Sequence, residues 1–201
     1  MIDLFRANFP DHTFHEENSE ELFIVDLKPL RLGAEVVMLN TRPIHAHVHL
    51  FNPRQVPLFF DGFPDNSFQI APGNHLKQCE CVIFPQTCEQ EDWVLFIETK
   101  YTENIETAFD EVIDYPNGMI NQIVTTVNFL RDNGIIPTNK RVHALVSFPR
   151  LIEDFNAFFF TSTPSEIDIL TDYNIIIRAS NKATIRSNRR IHLSVIKHFG
   201  A

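Results

Sequence analysis

Glu98 and Lys100 stand two residues apart at the close of an apolar run, Asp92-Trp93-Val94-Leu95-Phe96-Ile97-Glu98-Thr99-Lys100-Tyr101, and their types suit hydrolytic chemistry. Side chains alternate across a strand, so both are expected on the face of Val94 and Phe96. A carboxylate there can hold a cation; an ammonium can orient a water or stabilise charge developing on a phosphate. Charged groups are rarely buried unless paired or bound to metal, so this strand end needs a partner. Glu80 is the candidate. A strand expected at 77–84 and a turn at 85–91 lead back into the Trp93 run as a hairpin, which brings Glu80 beside Glu98. In that strand Glu80 is expected on the face of Val82 and Phe84, opposite Cys79, Cys81 and Ile83. Two adjacent carboxylates repel unless a divalent cation joins them, and such oxygen ligands suit Mg²⁺ or Mn²⁺.

A second set of metal-capable residues is His45, His47 and His49, which share one side of a strand expected at 44–51. Three alternate residues span about 13 Å, too far for all to reach one ion. A His-centred metal site would therefore need His47, His49 and a distant ligand; a solvated face is the plainer reading.

The elements that must position these groups follow from the hydrophobic pattern. Residues 1–32 mix Phe5, Phe9 and Phe14 with polar residues, and Asn18-Ser19-Glu20-Glu21-Leu22 reads as the start of a short helix. A short apolar run covers 35–40. Residues 52–75, rich in Pro, Gly, Asn and Asp, read as a long loop with a short strand at 68–71. Ile120, Ile123, Val124, Val127 and Leu130 predict a helix over 117–133, stopped by Gly134. Strands are expected at 141–148, 173–179 and 191–196, with an irregular or helical segment at 151–160. The whole predicts an α/β (α+β) fold, a mixed central sheet flanked by helices.

The 201 residues fit one domain, with 1–75 as an N-terminal elaboration, 76–148 as the core and 149–201 as C-terminal strands with a basic tail. No stretch approaches the roughly 20 apolar residues that cross a bilayer. Met1-Ile2-Asp3-Leu4-Phe5-Arg6 lacks the pattern of a secretory signal, so a cytoplasmic location is expected. Cys79, Cys81 and Cys88 suggest neither a disulfide framework nor a four-thiolate zinc site. Net charge is −9, yet no acid follows Asp172, while Arg178, Lys182, Arg186, Arg189, Arg190 and Lys197 do. Local patches steer phosphate binding more than net charge does, and a basic edge strand that resists aggregation is the structural alternative.

Glu98-Thr99-Lys100 closing an apolar strand, an acid at Glu80 on the preceding strand, then a helix and the strand at 141–148 together resemble the PD-(D/E)xK nuclease superfamily, the restriction-endonuclease-like fold. The resemblance covers residues 76–148. It implies that Glu98 and the upstream acid bind Mg²⁺ or Mn²⁺ and that Lys100 serves the hydrolytic water. Glu80 matches the upstream acid with Glu where the family usually has Asp, and Asp92 competes for the role. Glu20 or Glu21 would be a helix acid, and Gln122 sits where some members carry a functional glutamine. The implied partners are DNA, with Arg186, Arg189 and Arg190 on its phosphates, and a second copy of the chain as a homodimer; no membrane is involved. Glu-x-Lys by itself is common as a surface ion pair, so the alternative is an inactive binding or assembly protein on the same fold, with Glu98 and Lys100 paired only to each other.

Overall fold

The computed structural model describes residues 1–152 and 154–193. In chain order the elements are α1 (Ile2–Asn8), β1 (His15–Glu17), β2 (Glu21–Asp26), β3 (Val36–Leu39), β4 (Val48–Phe51), β5 (Leu58–Gly62), β6 (Gln69–Ala71) and β7 (Asn74–His75). There follow β8 (Cys81–Pro85), β9 (Leu95–Thr99), α2 (Ile105–Ala108), α3 (Tyr115–Asp132), β10 (Val142–Ser147), α4 (Asn156–Phe159), α5 (Glu166–Tyr173), β11 (Ile175–Ala179), β12 (Lys182–Ser187) and β13 (Arg190–His192). This is a mixed α/β fold. One sheet runs β1-β5-β8-β9-β10-β11 and a second runs β13-β12-β4-β2-β3, with β6 and β7 forming a small hairpin.

The apolar residues of β9 determine the layering. Val94 and Phe96 enter one core with Phe5, Met119, Ile123, Val127 and Ile169 from the helices. Leu95 and Ile97 enter the other, with Leu22, Ile24, Leu50 and Ile185 of the second sheet. Helices cover one face of the six-stranded sheet and the five-stranded sheet covers the other, so β9 is buried on both faces, as its unbroken apolar run requires. It pairs antiparallel with β8, Cys81 opposite Ile97, and parallel with β10, Val146 opposite Glu98.

Between β9 and β10 the chain crosses over through α3. Its first turn is closed by Asp114, whose carboxylate accepts from the Asn117 N–H, and by Pro116; its apolar stripe packs on the sheet. Gly134, at φ 68°, ends it in the left-handed conformation that glycine adopts without strain.

Several expectations are corrected. Residues 58–62, inside the expected loop, form the interior strand β5, and 182–187 form β12. The expected helix start at 18–22 runs instead into β2, because Leu22 to Val25 are all buried and a helix would expose part of that run. Of the three histidines only His49 lies in a strand, β4; the His47 ring meets the His45 carbonyl at 2.7 Å. The last strand covers Arg190–His192, and 194–196 lie outside the described residues.

The two sheets approach closely at Gly62. A Cβ there would stand 2.2 Å from the Val36 carbonyl oxygen of β3, a backbone atom that cannot rotate away. Gly62→Ala is therefore expected to cost at least about 1–3 kcal/mol by overpacking, read as a lower urea midpoint at unchanged m-value.

Candidate active site

Three carboxylates close three chain segments at one end of the molecule. Glu98 is the penultimate residue of β9, Glu80 immediately precedes the antiparallel β8, and Asp26 ends β2 of the other sheet. Glu98 is fully buried. Its Oε1 accepts from Lys100 Nζ at 2.5 Å, while Oε2 has no partner among the described residues. Burial pushes the Glu98 carboxyl up to about 8 against the pull of Lys100, with Glu80 and Asp26 adding to the rise. Burial likewise lifts Glu80 to about 7, aided by Asp26 and opposed by Lys100, and it raises Asp26 as well. Three carboxyls thus surround one half-buried ammonium. Fully ionised, the three would carry more negative charge than Lys100 can neutralise, so near neutral pH the site must either keep protons or take up a cation.

The neighbouring backbone is held on every side. Tyr101 links the two sheets: its hydroxyl oxygen accepts from the Asp26 N–H at 3.1 Å, and its proton goes to the Ala46 carbonyl at 3.1 Å. The Lys100 N–H donates to Ser147 O on β10. Glu80 donates its N–H to Ile97 O and accepts from the Phe63 N–H through its carbonyl, so it is tied to both β9 and the end of β5. Alternation breaks here. Cys79 packs with Val82 and Phe84 on the helix side while Cys81 faces the second sheet, so the expected placement of Cys79 opposite those residues is wrong. A displaced ladder at Glu80 is the physical reason.

Gln122 does not reach the carboxylates as the sequence suggested. Its Nε2 donates to the Gln78 carbonyl at 2.7 Å, and Thr126 Oγ1 accepts from the Cys79 N–H at 2.9 Å. Helix α3 therefore clamps the two residues before Glu80, which makes Gln122 a positioning residue. Asp92 lies at the opposite end of β9, where it accepts from the Thr87 hydroxyl and the Glu89 N–H, so Glu80 is the acid that shares an end with Glu98. Glu21 pairs with His49 instead of joining the cluster.

The expected DNA-contacting arginines are also at the wrong end. Arg189 bonds Glu89 and Glu91 at 2.9 Å each, and Trp93, which starts the β9 run, donates its N–H to Asn188 O. Arg189 thus lies at the beginning of that run, about 17 Å along the strand from Glu98 at 3.3 Å per residue, and Arg186 and Arg190 flank the same β12–β13 turn. Their proximity in sequence does not place them at the acids.

Asp26 is the residue that sequence reasoning missed. Its signal was present, because Leu22-Phe23-Ile24-Val25-Asp26 is an apolar strand closed by an acid, as Val94 to Glu98 is. Among the described residues no group of three or more His, Cys, Asp or Glu side chains is arranged to hold a metal ion, and this includes the histidines. The donors at these strand ends, Glu80 and Glu98 with its unpartnered Oε2, are oxygen atoms of the type a hard divalent ion takes. No helix among the described residues is long and apolar enough to cross a membrane. Comparison with protein-family models, curated proteins and solved structures finds no match to this chain.

Proposed function

We propose that the chain is a divalent-metal-dependent nuclease that hydrolyses phosphodiester bonds in DNA. The observation that carries this reading is the buried Glu98 carboxylate, ion-paired with Lys100 through Oε1 and unpartnered at Oε2, beside Glu80 and Asp26. Keeping such a charge in a core is costly without compensation, and a ligand supplies it. The order β8, β9, α3, β10, with both acids at one end of the hairpin, supports the restriction-endonuclease-like reading of residues 76–148. Glu80 and Glu98 would hold Mg²⁺ or Mn²⁺, which when bound supplies Lewis-acid stabilisation of a phosphoryl oxygen. Lys100, fixed by Glu98, would orient the attacking water and balance charge developing on the phosphate. Tyr101 and Gln122 would act indirectly, by fixing the backbone on either side.

The test is cleavage of plasmid DNA with Mg²⁺ or Mn²⁺. Glu98→Ala and Lys100→Ala are each expected to lower the rate by at least about 100-fold, the size of effect seen when one preorganised charge is removed. Equal activity in all three proteins would sink the assignment. The second reading, an inactive binding or assembly protein, draws on the direct Glu98–Lys100 contact, which would neutralise the pair without metal. It predicts no calorimetric signal on addition of either ion.

A further inference from the structure

A cleft of about 720 Å³ opens beyond Tyr101, over the C-terminal ends of β10 and β11. Its walls include Arg42, Arg178 and Lys182, with the His47 and His49 rings among them, on a chain of net charge −9. Arg178 is paired with Glu166 and His49 with Glu21. Arg42 and Lys182, both exposed, have no acidic partner among the described residues. Among the described residues, Asp154 is the acid in the lining. The local field can be read at His47: burial depresses its basicity, and Arg42, His49 and Lys182 all push in the same direction, as a net positive site requires. The floor is rigid. Asn181 donates to the Phe148 and Leu151 carbonyls and accepts from the Ser147 hydroxyl, which joins the ends of β10 and β12. The partly exposed His49 ring, stacked at 5.1 Å on the buried Phe23, supplies an aromatic wall.

The cations call for an anion, the volume exceeds that of a bare phosphate and lies in the range of small-ligand clefts, and the aromatic wall suits a ring. In open α/β sheets, the carboxyl ends of parallel strands are also where ligands bind. We propose that this cleft binds the phosphate monoester of a nucleotide, with Arg42 and Lys182 on the phosphate and the His49 ring beside the nucleoside. The phosphate belongs either to a free mononucleotide or to the terminal phosphate of a strand. The end of β11 that lines this cleft is two strand spacings from β9, about 10 Å, on the same edge of the sheet as Glu98. With the end of a nucleic-acid strand seated in it, the cleft would place a substrate for the nuclease reading, on which this part of the inference rests.

Binding is measured by calorimetry in EDTA, so that absence of cleavage leaves the readout intact. The probes are AMP, adenosine, and one oligonucleotide with and without a 5′-phosphate. At least one phosphorylated probe is expected to bind about tenfold or more tightly than its unphosphorylated counterpart, and Arg42→Ala and Lys182→Ala should each remove about that factor. A gain for AMP alone identifies the free nucleotide as the ligand; a gain for the oligonucleotide identifies the strand end. Equal affinity with and without phosphate, no binding of any probe, or unchanged affinity in both variants overturns the proposal. Because both residues are exposed, the variants are expected to fold, and unchanged thermal midpoints verify it.

Discussion

In buffer free of divalent cations, the thermal midpoint falls by at least about 10 °C between pH 5 and pH 8, and Glu98→Gln removes more than half of that fall. The folded state raises the Glu98 carboxyl from 4.5 to about 8 and Glu80 from 4.5 to about 7. Between the unfolded and folded values the native protein holds more protons than the unfolded chain, so stability decreases as pH rises. The contribution is fully present below about 4.5, shrinks as pH passes through 7 and 8, and is gone above them. Each unit is 1.36 kcal/mol, so the loss is several kcal/mol, and a chain of this size moves about 2–4 °C per kcal/mol. Mg²⁺ or Mn²⁺ should restore the midpoint at pH 8 and do little at pH 5, where protons occupy the same oxygens. Asp61 and Asp26 are also raised by burial, so the informative quantity is the difference between wild type and Glu98→Gln. A wild-type midpoint that is flat over this range, or an equal slope in Glu98→Gln, would show that Glu98 is not the buried proton carrier.

The legible part of this molecule was the part whose signals are local. The unbroken run before Glu98, the turn at 85–91 and the helical spacing from Ile120 to Leu130 are short-range patterns, and the structure forms the hairpin, α3 and β10 from them. What was not legible depends on distant partners. Leu58-Phe59-Phe60 is too short an apolar run to stand out between Pro57 and Asp61-Gly62, yet it becomes an interior strand because β1 and β8 flank it. Gly62, which looked like a turn residue, is there because a backbone carbonyl of the other sheet approaches it. The acidic start of β2 imitated a helix cap, which hid a strand and with it Asp26. Charge counting found the basic tail but could not show that the β12–β13 turn lies at the far end of β9, while Lys182 stands at the cleft.

Asp26, Asp61 and Glu98 share one grammar, an acid closing an apolar strand, and the partner each finds decides its role. Asp61 contacts the His12 ring, whose Nδ1 lies 2.7 Å from Asp61 Oδ2, and neither side chain has appreciable access to solvent. The His12 ring stacks on Phe9 at 4.9 Å and lies against Phe63 and Phe68. The segment after α1 is thereby fastened to β5 through one polar contact in an aromatic setting, where an unpaired group is most expensive. Asp61→Ala is expected to lower stability by about 3–5 kcal/mol, or roughly 10 °C, and His12→Ala by a comparable amount, because each strands the other partner. Replacing both, as His12→Phe with Asp61→Val, should recover much of the loss, since a well-packed apolar pair can equal a buried polar one. The double-mutant cycle then gives a coupling of at least about 1 kcal/mol. A loss below about 0.5 kcal/mol in Asp61→Ala would mean that the phenylalanines and the β1–β5 pairing hold the N-terminal segment without help from this pair.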